Sequence, residues 1–193
     1  LAPAAAFLAW KPRTTDADSP KLKAVRLYQN LLAFHKDDAD KSAFLDADLH
    51  RLHFAYNTAF GEEKSARYKA ALKEFASAWA DHPLSAKARH EWAQVLHAEG
   101  DFVEARTVAL QGKNAFPDGP GGKLCHNLIQ QIEAKEVQVT TERVWAEPLP
   151  MLRVQYRNIT KVHFRAVRLD WVARLTRDRY RPEQLTDADR REL

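Results

Sequence analysis

Four residues recur at a fixed interval: Ala71, Phe75, Ala78 and Pro83 are followed, thirty-four positions on, by Ala105, Ala109, Gly112 and Pro117. Mostly small residues at such sites let two antiparallel helices approach closely, and the proline stops the second helix before the next pair begins. After about residue 135 the rhythm changes, and apolar residues alternate with polar ones, as at Leu152, Val154 and Tyr156. The expected fold class is mainly α: antiparallel helix pairs followed by a partial β-sandwich of about three strands.

Within that frame the helices can be placed one by one. Residues 11–18 read as a flexible lead-in, and Ser19-Pro20 as a helix start with a capping side chain and proline at the first position. Ala24, Leu27, Leu31 and Phe34 form a stripe on the first helix, widened by Val25, Tyr28 and Leu32, so its centre stays open. The second helix follows Asp38–Asp40 with Leu45, Leu49, Leu52, Tyr56 and Ala59 inward, and Gly61 ends it. A third runs from near Glu63 to Asp81 through Tyr68, Ala71, Leu72, Phe75 and Ala78. Beyond Pro83, Ser85 is read as the cap of a fourth helix carrying Ala88, Trp92, Val95 and Leu96.

Gly100 marks a turn, and Asp101 with Glu104 resembles a capping box for a fifth helix bearing Phe102, Ala105, Val108 and Ala109. Asp118-Gly119-Pro120-Gly121-Gly122 is the strongest break in the chain. A sixth helix then turns Leu124, Leu128, Ile129 and Ile132 inward. Strands are expected at Val137–Val139, at Leu152–Tyr156 and at Val162–Ala166, the last two antiparallel neighbours across a turn at Asn158. The tail from Arg174 reads as an exposed loop or fraying helix, with Pro182 and Thr186 as helix starts. The domain reading is 1–18 lead-in, 19–135 helical repeats, and 136–193 the truncated start of a β domain. A sheet of about three strands leaves an apolar face and an open edge, so the chain reads as an excerpt of a longer protein.

Charge is uneven along the chain. Of 30 Lys+Arg and 26 Asp+Glu, residues 150–193 hold 11 and 6, leaving 19 and 20 for residues 1–149. Arg153, Arg157 and Arg165 alternate with apolar residues, as on the wet face of a strand, while Arg168 falls out of phase. This favours a solvated or partner-facing sheet surface over a nucleic-acid site. The apolar run Leu1–Trp10 is too short to span a bilayer, and it lacks a basic start and a clear cleavage site. The single cysteine, Cys125, excludes an internal disulfide.

The stretch Ala86–Pro117 resembles a tetratricopeptide repeat, with Ala93, Leu96, Gly100, Phe102, Ala105 and Pro117 at the family's positions and Trp92 where leucine is usual. The preceding unit resembles it through its second helix alone. Such repeats form curved scaffolds that commonly bind a peptide or a neighbouring domain on the concave face.

Three longer runs resemble the N-terminal part of bacterial alpha-2-macroglobulin-like proteins: Tyr28–His35, Gly61–Ala70 and Tyr156–Val162. That resemblance implies a non-catalytic scaffold module of a large exported protein, periplasmic or extracellular, that inhibits or traps proteases as a whole. The implied partners are following β-sandwich domains of the same chain and, through the full-length protein, proteases. The family's thioester motif, Cys-Leu-Glu-Gln, is absent; Cys125 lies in Leu124-Cys125-His126-Asn127. A tetratricopeptide-type adaptor for a peptide or partner protein is the alternative.

No constellation for catalysis stands out, and no catalytic, cofactor or metal residue is assigned. His50 and His53, three apart on one helix, lack a third ligand of suitable spacing for zinc. Cys125 and His126 are helical neighbours and point apart, so a small buried thiol is expected rather than a thiol–imidazole pair. The glycines around Gly121 join helix to helix, unlike a phosphate loop. Glu62 and Glu63 suit a solvated helix start. Trp79 and Trp92 are expected to fill the helix-pair interior, with a peptide-binding surface as the other reading.

Overall fold

The computed structural model describes residues 1–141, 151–165, 170–177, 186, 187 and 191. The chain divides into two compact units, Leu1–Ala134 and Lys135–Leu193. The first holds seven helices: α1 (Ala4–Ala9), α2 (Pro20–His35), α3 (Ser42–Thr58), α4 (Lys64–Ala78), α5 (Leu84–Ala98), α6 (Phe102–Ala115) and α7 (Pro120–Glu133). Each packs on the next along the chain, and α5 also meets α3 and α7.

Helix ends follow local chemistry, though not always at the expected residue. Proline opens α2 and α7, but Ser19 makes no side-chain cap. Ser85 lies inside α5 and is fully buried; its hydroxyl donates to the Ala80 carbonyl and accepts from Arg89. The cap duty falls to His82, whose Nδ1 accepts from the Leu84 amide at 3.2 Å. Asp101 caps α6 by accepting from the Glu104 amide at 3.3 Å. The return half of the box does not form, because the Asp101 amide donates to the Leu96 carbonyl. That bond, with Gly100 N–H to His97 O and a φ of +87° at Gly100, closes α5 in a left-handed cap open chiefly to glycine.

Two contiguous cores run through this unit. Leu45, Leu49, Leu52, Tyr68, Leu72 and Phe75 centre the first. Ala93, Leu96, Ala105, Ala109, Cys125 and Ile129 centre the second, and Trp92 packs against both. Small residues set the spacing at α5, α6 and α7. A methyl at Gly112 would meet Cys125 Sγ at 2.6 Å, and one at Gly121 would meet the Lys87 amide nitrogen at 2.5 Å. The glycine run is therefore a chain break only as far as Gly119. Gly121 and Gly122 are buried in the first turn of α7, where close approach excludes a larger side chain. Leu124 consequently turns outward, at 40% exposure, and Cys125 takes the inward position.

The stripe on α2 also differs from expectation. Leu22 and Leu32 are buried, whereas Leu27 and Phe34 are 66% and 78% exposed. Apolar residues occupy most sides of this helix, so periodicity alone leaves several candidate faces, and packing selects one. Ala78, expected inward on α4, is exposed as well. Residues 1–10, read without a helix, contain α1.

The second unit is simpler. β1 (Glu136–Thr141) pairs antiparallel with β2 (Leu152–Arg157), in a register that sets Val137 opposite Tyr156, Val139 opposite Val154 and Thr141 opposite Leu152. Period-2 geometry places these six on one face. The other face carries Glu136, Gln138, Arg153 and Gln155, and at one end Arg157 pairs with Glu136 at 3.0 Å. β2 thus partners β1 rather than a following strand. Asn158, at φ +56°, turns the chain away, and residues 161–165 carry no regular structure. The expected third strand is absent at Val162 and Phe164, and Ala166 lies outside the described residues. Helix α8 (Trp171–Arg177) starts before the expected tail; Asp170 caps it by accepting from the Ala173 amide, and Arg174 is buried. Pro182 lies outside the described residues, and Thr186 precedes the helical residue Asp187.

Candidate functional site

Polar side chains converge on one another chiefly where α3, α4 and α5 meet. Tyr68 of α4 is 2% exposed, and its hydroxyl donates to Glu91 Oε2 of α5. His53 of α3 completes the cluster, its Nδ1 3.4 Å from the Tyr68 hydroxyl and 3.6 Å from Glu91 Oε2. Tyr56 stacks on Tyr68 with ring centroids 4.4 Å apart and an 11° tilt, an arrangement worth about 0.5–1.5 kcal/mol beyond burial. Burial, then the bond to Glu91 and that residue's charge, push the Tyr68 phenol far above its ordinary value. A phenol held this way keeps its proton at neutral pH and acts as a hydrogen-bond donor, not a base.

One turn earlier, α3 and α5 are joined by Lys87, which donates to Asp46 Oδ1 at 3.1 Å and to His50 Nε2 at 3.2 Å. His50 and His53 therefore serve different neighbours and do not converge. Among the described residues, no group of three or more His, Cys, Asp or Glu side chains is placed to hold a metal ion. What this surface offers is a row of polar and charged groups, partly satisfied, on rigid helices. It suits recognition of a polar segment by hydrogen bonds and charge.

The remaining sequence candidates fall elsewhere. Cys125 is fully buried and His126 is exposed, so the two diverge as their adjacency requires. The Cys125 thiol donates to the Ala86 carbonyl at 3.4 Å, and burial pushes its pKa up to about 11. Trp79 is half-buried against the first core, and Trp92 is half-buried with Lys73 Nζ 5.9 Å from its ring. Glu63 accepts from Arg67 on the outer side of α4.

Sequence reasoning missed the most buried charge in the helical unit. Arg51 is 2% exposed and donates through Nε to Asp48 Oδ1 at 2.8 Å and through Nη2 at 2.6 Å. Its Nη1 donates to the Ala2 carbonyl at 2.9 Å. Burial raises the Asp48 carboxyl above its ordinary value, and the Arg51 charge opposes that rise. The available signal was a pair of opposite charges three apart, set between the leucines of the α3 stripe. Comparisons with protein-family models, with curated proteins and with solved structures return no match to this chain.

Proposed function

We propose that this chain is a non-catalytic scaffold module: a tetratricopeptide-like stack of helix pairs joined to the opening strands of a macroglobulin-type β-sandwich. The parent would be a large exported protein of the bacterial alpha-2-macroglobulin-like kind, acting on proteases as a whole. The observation that carries this reading is the sheet of the second unit. Val137, Val139, Leu152 and Tyr156 share one face and are 45–61% exposed, which is the state of a sheet lacking its second layer. Sandwich strands later in the same chain would supply that layer. The neighbour pattern of α3, α5 and α7, in which alternate helices meet, supports stacked pairs.

A test lies in the coding sequence beyond Leu193. Further strand-rich segments and a Cys-Leu-Glu-Gln motif are expected, and their absence would remove the family assignment. The 193-residue chain alone is expected to give no stoichiometric inhibition of a general protease such as trypsin. Measured inhibition would contradict a purely structural role.

One observation favours the adaptor reading as a second choice. His53, Glu91, Lys87 and His50 lie on adjacent α3 and α5, the kind of surface on which helical repeats hold a peptide. Peptide-array binding lost on Glu91→Ala and Lys87→Ala substitution would favour it.

A further inference from the structure

A cavity of about 470 Å³ lies between α1, α2 and α3, within the roughly 300–1,000 Å³ range of small-ligand sites. Its roof is α1, a six-residue helix with no fully buried residue, anchored by backbone carbonyls within it and on either side of it. Gln29 Nε2 donates to the Phe7 and Trp10 carbonyls at 2.9 and 2.7 Å, and Arg51 reaches the Ala2 carbonyl on the other side. These clasps fix the strap at a set height. The space beneath is walled by Phe7, Trp10, Val25, Phe54 and Ala55. A guest that covers these apolar walls removes their surface from water.

Charge narrows the guest further. Among the described residues, the lining includes two cationic side chains, Lys21 and Arg51, and no Asp or Glu. Arg51 is already neutralised by Asp48, and its guanidinium carbon lies 4.7 Å from the Phe7 ring centroid. Lys21 differs: it is exposed at the rim, and its ammonium sits 5.5 Å from the Phe60 centroid rather than on a carboxylate. Apolar walls with an uncompensated cation at the mouth match a guest with one anionic end and one greasy end.

We propose that this cavity binds a monocarboxylate with a medium-length acyl or aryl body, its tail under α1 and its carboxylate on Lys21. The proposal is independent of the scaffold reading and survives or fails without it.

The test is titration of the 193-residue chain with decanoate, followed by calorimetry and amide NMR, with decanol and decylamine as matched probes. Decanoate is expected to saturate one site, shift the Phe7, Trp10 and Ala55 resonances, and bind more tightly than either matched probe. Lys21→Met should weaken decanoate about fivefold, the loss of one partly exposed ion pair, and leave decanol unchanged. Ala55→Phe fills the cavity and should abolish binding. Should that variant not fold, Ala6→Phe, which sets a ring on the α1 wall of the same cavity, gives the same reading. The proposal is overturned by no saturable binding at about 1 mM, by binding that survives a folded filled variant, or by decylamine binding as well as decanoate.

Discussion

Residues 1–134 and residues 135–193 meet the same demand, removal of apolar surface from water, with different means. In the helical unit Leu32, Leu45, Leu49 and Leu72 are at 0% exposure, and Ala86, Ala93 and Ala109 allow helix backbones to close on one another. In the sheet unit Val137, Val139 and Tyr156 hydrogen-bond correctly through their backbones yet stay about half in water. A helix hairpin can bury a stripe against its own partner and the next pair. Two strands bury nothing until a second layer arrives. Local pairing and burial are therefore separate achievements, and the first is reached here without the second.

That contrast can be broken most severely at the buried ion pair. Asp48→Ala leaves Arg51 charged with its carboxylate partner gone, at a site 2% exposed, and should cost about 3–5 kcal/mol in denaturant unfolding. A loss under about 1 kcal/mol would mean that water reaches Arg51. Next in size is a matched pair on α2. Leu32→Ala, at 0% exposure, should cost about 2–5 kcal/mol, and Phe34→Ala, at 78% exposure, less than about 0.5 kcal/mol. Equal losses would show that both faces of α2 are covered in solution.

A smaller effect concerns His90, whose imidazole burial holds below its ordinary value. Between the unfolded and folded values the unfolded chain binds more protons, so stability rises with pH there. This contribution is full above the unfolded value, near 6.5, and is lost as pH falls through the folded one. His90→Gln should flatten that part of the stability–pH curve; an unchanged slope would reject the assignment. The least effect is expected in the sheet. Val139→Thr on the uncovered face should leave helical unfolding within about 0.5 kcal/mol of the parent. A larger shift would require that something covers this face in the isolated chain.

Much of the helical order was legible beforehand, for reasons particular residues make plain. Proline at position 20, glycine at 61 and 100, and the Asp101–Glu104 pair act over one turn, and their geometry depends on nearest neighbours only. The α3 stripe was also readable, since Leu45, Leu49 and Leu52 stand against polar neighbours. On α2 that contrast is missing, and the buried face could not be chosen. Of the candidate site, His53 was visible as a residue but Tyr68 and Glu91 were not visible as its partners, because the three lie on different helices. The pairing of β2 with β1 rather than with the segment after Asn158 was likewise a choice between two possible neighbours.

What the amino-acid order determined by itself is therefore local: where helices start and stop, the change of period after residue 135, and the small residues at the thirty-four-residue interval. Tertiary structure alone decided which face of α2 is buried, that Gly121 and Gly122 are packing residues, and that Ala4–Ala9 is helical. The physical reason is length. Six residues cannot sustain a helix from their own hydrogen bonds, and α1 is held by Gln29 and Arg51, from two other helices, through the carbonyls of Phe7 within it and of Trp10 and Ala2 on either side.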